Sequence, residues 1–137
     1  MATQVKKVQT LVVSLTPKPG ELNKVYQAFK KNNVDIVASW GYEMGPDRAQ
    51  AIFYPADINK AKTALQELKV QTKTSQACYA AGDNKVGVYA ELLDKVSKAG
   101  VNIHATDAFG VGNKFATVFF AEEKDYPALC KALGVTE

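Results

Sequence analysis

The apolar positions of this chain fall into two sets that repeat. Leu22, Val25, Tyr26 and Phe29 recur at i, i+3, i+4 and i+7, which predicts one apolar face on a helix spanning Glu21 to Asn32. Tyr89, Leu92, Leu93 and Val96 draw the same stripe within Val88 to Ala99. Each predicted helix stops at a residue that tolerates a left-handed cap, Asn33 in one and Gly100 in the other. Sliding the chain by 67 residues lays one set on the other, without a gap from Gln9 to Tyr54. Gln9 then meets Gln76, Lys18 meets Lys85, Gly20 meets Gly87, Lys31 meets Lys98, Val34 meets Val101 and Ile36 meets Ile103. Ala38, Gly45, Ala49 and Phe53 meet Ala105, Gly112, Ala116 and Phe120.

Each half predicts the same order of elements. Gln9 to Leu15 is Val/Leu-rich and strand-like, and Pro17-Lys18-Pro19-Gly20 breaks it ahead of the helix. Val34, Ile36 and Ala38 alternate along a second strand, Gly45-Pro46-Asp47 turns the chain, and Ala49, Ala51 and Phe53 alternate along a third. Ile58, Ala61, Leu65 and Leu68 mark a second helix, and Val70 to Thr74 a short fourth strand. The second half repeats this with Gln76 to Ala81, Val88 to Ala99, Val101 to Asp107, Lys114 to Ala121 and Tyr126 to Leu133, turning at Gly110-Val111-Gly112-Asn113. One residue is inserted before its last helix. Only Gly134 to Glu137 remain for a fourth strand there, which is therefore expected to be short or missing.

The expected fold class is α+β: two ferredoxin-like βαββαβ repeats, residues 1–73 and 74–137, each an antiparallel sheet with helices on one face. The other face of each sheet must meet solvent or a partner. Alternation puts Phe115 and Phe119 on that open face, read as an oligomer interface, and turns Ala116, Val118 and Phe120 toward the helices.

Composition narrows the class without naming a function. With 137 residues, 47% apolar and 23% charged, the chain is an ordinary globular one, which excludes disorder, collagen and a disulfide-stapled miniprotein. Seventeen Lys and Arg against fourteen Asp and Glu leave +3, scattered as pairs such as Lys6-Lys7 and Lys30-Lys31, so charge alone does not argue for nucleic acid. Cys78 and Cys130 lack CxxC spacing and fall on a predicted strand and helix, so they are expected to be reduced core thiols, as a reducing cytoplasm would keep them. Met1 to Lys7 lacks the apolar stretch of a signal peptide, and no run approaches the roughly 18 apolar residues of a membrane span. A soluble cytoplasmic protein is expected.

Each half resembles an ACT domain, the small-molecule regulatory module of aspartokinase, phosphoglycerate dehydrogenase and the chorismate-pathway enzymes. The residues that carry the resemblance are Lys18-Pro19-Gly20-Glu21-Leu22 and Val34-Asp35-Ile36 in the first half. In the second they are Asn84-Lys85-Val86-Gly87 and Ala99-Gly100-Val101-Asn102-Ile103. Both motifs occur in the right order and spacing, twice, over nearly the whole chain. The resemblance implies a ligand held between two units, where the glycine loop of one faces the second-strand entrance of the other. The expected ligand-binding residues are Gly20, Glu21, Leu22, Asp35, Ile36, Asn84, Gly87, Val88, Asn102 and Ile103.

The chemistry of these positions suits a carboxylate. Gly20 and Gly87 lack a Cβ, so a ligand can approach the amides of the following helix, whose N-terminus favours an anion such as the α-carboxylate of an amino acid. Asn84 and Asn102 offer both donor and acceptor, which suits ammonium and carboxylate in one small molecule. The first half departs at both points, with Pro17 and Asp35 in their places, so one site is expected to be empty or altered, or to hold an ammonium on Asp35. Asn84 capping a turn, and Asn102 satisfying backbone at a helix–strand junction, are the purely structural alternatives.

Other chemistry was sought. His104 has no second histidine or CxxC nearby, so no metal is expected, and no phosphate-loop, dinucleotide or nucleophile-elbow motif occurs. Glu122-Glu123-Lys124-Asp125 reads as a solvated helix entrance, and Trp40 as a packing residue in a core or interface. No cofactor is expected. The leading expectation is a non-catalytic sensor, a homodimer, that binds a free amino acid or similar small carboxylate and regulates a separate metabolic enzyme, since the two repeats account for all 137 residues. Two alternatives stand beside it. One is an RNA-binding module, because Lys114-Phe115-Ala116-Thr117-Val118-Phe119-Phe120 partly matches an aromatic third-strand signature, although nucleic acid is the less expected partner. The other is a structural dimerisation module with vestigial sites.

Overall fold

A computed structural model describes residues 3–135. Its elements follow in the order β1 (Gln4–Leu15), α1 (Glu21–Lys31), β2 (Ile36–Glu43), β3 (Ala49–Pro55), α2 (Ile58–Leu65), β4 (Thr72–Asp83), α3 (Val88–Lys98), β5 (Ala105–Val111), β6 (Lys114–Phe120) and α4 (Tyr126–Leu133). The fold is mixed α+β, βαββαβ in the first half and βαββα in the second. Both striped helices form where the periodicity places them and end at left-handed residues, Asn33 at φ 55° and Gly100 at φ 72°. Asp57 caps α2, its carboxylate accepting from the amides of Asn59 and Lys60 at 3.1 Å each.

The residues divide into two compact units. The first is Gln9–Ser75. In it β3 lies between β2 and β1, pairing Phe53 with both Leu11 and Ser39. The start of β4 follows along β1: Ser14 N–H donates to the carbonyl of Gln71 at 3.0 Å, and the buried Thr10 hydroxyl to that of Ser75 at 3.0 Å. The core sits between this sheet and two helices, with Leu11, Val13, Val25, Phe29, Phe53 and Leu65 all but sealed from water. Tyr26, Phe29 and Phe53 meet edge to face at 5.1 to 5.9 Å between centroids, a geometry that adds to their burial.

The second unit comprises residues 76–135 together with residues 3–8. Here β6 lies between β5 and β4, pairing Phe119 with Thr106 and Cys78. Cys78, Leu92, Val96, Phe115, Phe119 and Leu129 make the core, and the Tyr126 hydroxyl donates to the carbonyl of Ala77 at 3.0 Å.

The fourth strand expected to be short or missing at the end of the chain is not formed among the described residues: α4 stops at Leu133, Gly134 and Val135 form no strand, and residues 136 and 137 lie outside the described residues. The start of β1 takes its place, with Val5 packed on the second core, Val8 buried and Lys6 Nζ 5.9 Å from the Tyr79 ring centroid. A bare edge on β4 would leave backbone donors and acceptors unpaired, and the N-terminal segment covers it.

One expectation is corrected: Phe115 and Phe119 are 5% and 0% exposed and belong to the helix-covered core, not to the open face. Ala116, Val118 and Phe120 take the opposite face, by the alternation of β6. The cause is one residue. Between the equivalent pairs Glu43–Ala49 and Gly110–Phe115 the second hairpin is one residue shorter, so Phe53 corresponds to Phe119 and not to Phe120. A shift of one residue moves every side chain of a strand to the other face. The aromatic third-strand signature therefore lies inside the core, and the RNA-binding reading loses the two rings that would have stacked on bases.

Candidate functional site

Gly20 and Gly87 both stand at φ +89°, as the N-caps of α1 and α3, and a Cβ built on either would meet nothing within 4 Å. The left-handed turn is what requires glycine. Beyond it each helix opens into a shallow cleft closed on the far side by the hairpin strand. In the first unit the cleft is about 390 Å³ and is bounded by Lys18, Glu21, Leu22, Tyr42, Glu43 and Ala51. In the second it is about 340 Å³ and is bounded by Asn84, Lys85, Val88, Phe109, Gly110 and Phe115.

The 67-residue shift relates the two clefts position by position, and their chemistry differs. Pro17, Glu21 and Glu43 of the first become Asn84, Val88 and Gly110 of the second, while Lys18 remains a lysine as Lys85. Lys24 Nζ, 2.9 Å from Glu21, holds that carboxyl below its ordinary range, so the first cleft keeps an ionised carboxylate paired with a lysine. Among the described residues the second has no carboxylate on its walls. Asp83, just outside, is paired with Lys114 at 2.8 Å, and this ammonium pulls it down to about 2.

Asn84 is held by its backbone, whose N–H donates to the carbonyl of Asn113 at 2.9 Å. Its side chain lies against Gly110, where a Cβ would come within 3.0 Å of Nδ2. The glycine thus makes room for the amide. Tyr89 and Ala90, in the first turn of α3, carry amides that a helix leaves without an intrahelical acceptor.

The remaining expected positions lie elsewhere. Asp35 is exposed, with its carbonyl accepting from Ala56 N–H at 2.9 Å, and Ile36 packs on the first core. Asn102 is exposed and Ile103 packs on the second core. They follow the C-termini of helices of 11 residues, about 16 Å long at 1.5 Å per residue. Neither unit by itself gathers its glycine loop and its second-strand entrance into one cleft.

Tyr42, Glu43 and Phe109 escaped the sequence reading and Gly110 was read only as a turn residue, although the same shift pairs them. Their signal was two large apolar residues, Tyr42 and Phe109, beside turns, now 46% and 52% exposed. His104 is exposed just ahead of β5, its N–H donating to the carbonyl of Phe120 at 2.7 Å. Among the described residues no three His, Cys, Asp or Glu side chains gather to hold a metal, and no helix is long and apolar enough to cross a membrane.

Two units sharing the βαββα order, with a glycine turn ahead of each first helix, define the fold of tandem ACT-type regulatory domains, and the resemblance carried by the motifs holds at that level. Among solved structures the chain is similar to a Bacteroides thetaiotaomicron protein at a TM-score of 0.80 and 23% identity, over 93% of this chain and 88% of that one. It is similar to the regulatory subunit of aspartate kinase from Thermus thermophilus at 0.66 and 18%, over 99% and 96%. The corresponding Thermus flavus subunit stands at 0.65 and 17%, over 96% and 93%. No protein-family model matches the chain, and no curated protein does.

Proposed function

We propose that this protein is a non-catalytic sensor whose second-unit cleft binds a small carboxylate, a free amino acid above all, and whose occupancy regulates a separate protein. The observation that carries the reading is the contrast between the clefts. The second offers Asn84, Lys85 and the first amides of α3 with no carboxylate among the described residues of its walls, whereas the first sets Glu21 and Glu43 where the second has Val88 and Gly110. An anion is favoured at a helix N-terminus beside a lysine and is repelled by two carboxylates. Val88, Phe109 and Phe115 add an apolar wall that suits a hydrophobic side chain on the same ligand.

The aspartate kinase chains of the same fold are regulatory subunits, which supports a regulatory role for this one. Occupancy regulates only if it favours one arrangement over another, and the proposed arrangement is a homodimer. In each unit one outer strand, β2 or β5, is paired on one side only by the strand beside it, and exposed apolar side chains cluster at that end: Tyr42 and Met44 in one, Phe109 and Val111 in the other. Asp35 and Asn102, remote from the cleft of their own units, enter the site only if another unit brings them there.

The test is a thermal-shift screen of the twenty amino acids and several metabolite carboxylates, with size-exclusion run in parallel. A ligand bound only by the native state at one hundred times its Kd adds about 2.7 kcal/mol, a shift of several degrees. One chemically related group is expected to raise the midpoint and change the elution volume. A stable oligomer with no shift from any compound would replace the sensor by a structural dimerisation module.

A further inference from the structure

Cys78 and Cys130 come from opposite sides of the second core, one on β4 and one on α4, 52 residues apart in the chain. Their Sγ atoms lie 3.0 Å apart, and the side chains are 0% and 3% exposed. Neither is bonded. A disulfide needs about 2.05 Å, so forming one draws the two sulfurs about 1 Å closer. We propose that this pair is a reversible intramolecular disulfide site, which on oxidation pins α4 to β4.

The helix is well placed to be controlled in this way. With eight residues it is short, it docks through Tyr126, Leu129, Cys130 and Leu133, and the Tyr126 hydroxyl bond to Ala77 ties its first turn to β4. A helix of that length has little stability of its own and lifts off more readily than the strands beneath it. Burial, reinforced by the neighbouring thiol, keeps Cys78 protonated well above the ordinary thiol range while the helix is docked. Exchange therefore proceeds through the lifted helix. The oxidant is a low-molecular-weight disulfide such as oxidised glutathione. The Cys130 thiolate attacks one of its sulfurs and expels one glutathione thiolate. As the helix returns, the Cys78 thiolate attacks the Cys130 sulfur of the mixed disulfide and expels the second. Two protein thiols and one glutathione disulfide become one protein disulfide and two glutathione thiols.

Closing a loop of this length in the unfolded chain stabilises the native state, so the oxidised protein should melt about 5 °C or more above the reduced one. The experiment incubates the native full-length protein with oxidised glutathione at mildly alkaline pH. It then counts thiols after unfolding, weighs the protein and records the melting midpoint before and after dithiothreitol. The expected result is loss of both thiols, a monomeric mass lower by two hydrogens, and a raised midpoint that dithiothreitol restores. Cys130→Ser, and Cys130→Ala should the serine disturb packing, are expected to lose the response entirely. The wild-type thiol count decides the matter even if both variants unfold. Two titratable thiols after prolonged incubation, a stable glutathione adduct on one cysteine, a bond between two chains, or a bond that leaves the midpoint unchanged would each overturn the proposal.

Discussion

Substituting valine at Gly87 and, separately, at Gly20 tests the candidate cleft with its own internal control. Both glycines stand at φ +89°, both cap the first turn of an 11-residue helix, and at both a new Cβ meets nothing within 4 Å. The penalty is therefore backbone strain alone, about 1–2 kcal/mol for an L-residue held in the left-handed region, and it should be nearly equal at the two sites. Each variant should melt several degrees below the wild type yet remain folded. Only one should lose ligand. Gly87 lines the second cleft beside Asn84 and Lys85, so a branched side chain there takes up space in which the carboxylate would sit. Gly20 is not among the residues lining the first cleft, which already holds Glu21 and Glu43. The assay is isothermal titration of the compound that shifts the wild type most, with melting of each variant in its presence. Gly87→Val is expected to weaken binding at least tenfold, about 1.4 kcal/mol, and Gly20→Val to bind as the wild type does. Unchanged affinity in Gly87→Val would remove that cleft from the site, and equal loss in both variants would show that strain, not occupancy of space, is being measured.

The corrected register makes a second prediction: Phe119→Ala, which empties a wholly buried position stacked 5.8 Å from the Tyr89 ring, should cost about 3–5 kcal/mol in urea unfolding. Phe109→Ala, at a residue 52% exposed, should stay within about 0.5 kcal/mol, and a similarly small loss at Phe119 would return that ring to the open face. The Asp83–Lys114 pair predicts a pH effect of definite sign. The folded carboxyl titrates near 2 against an ordinary 3.8, so its contribution is present above 3.8 and is lost as pH falls toward 2. Because the pair is solvent-exposed the effect should be small. Melting curves between pH 5 and 2 should fall less steeply for Lys114→Met than for the wild type, and parallel curves would dismiss the pair.

Much of the architecture was legible because it depends on period alone. The stripes through Val25 and Phe29 and through Leu92 and Val96 place both helices on their sheets, and Asn33 and Gly100 end them at positive φ as the cap rule requires. What period alone cannot supply is a count across a turn. The gapless match carried Phe53 onto Phe120, when the shorter second hairpin carries it onto Phe119, and a strand read one residue out inverts its whole burial pattern. The fourth strand of the second unit was invisible for a different reason. Residues 3–8 follow no helix of that unit in the chain, so no local signal joins them to β4, and only the sheet's need to satisfy an edge does.

The candidate cleft was only half legible for the same reason. The glycines, Asn84 and Lys85 stand out as a motif because they are adjacent in sequence, and they do form one wall of a cleft. The opposite wall comes from the far end of β5, 20 or more residues away, and its decisive member is an absence: Gly110, where the first unit has Glu43. A glycine beside a hairpin turn reads as turn chemistry. Its second role, clearing the space that the Asn84 amide occupies, exists only once the hairpin folds back across the loop. That pairing also makes the asymmetry between the halves chemical as well as sequential. Replacing Pro17 by Asn84 would have little effect if a carboxylate still stood at position 110, so the two changes act as one device, and their coupling should appear as non-additivity in a cycle of Asn84→Ala and Gly110→Glu on ligand affinity.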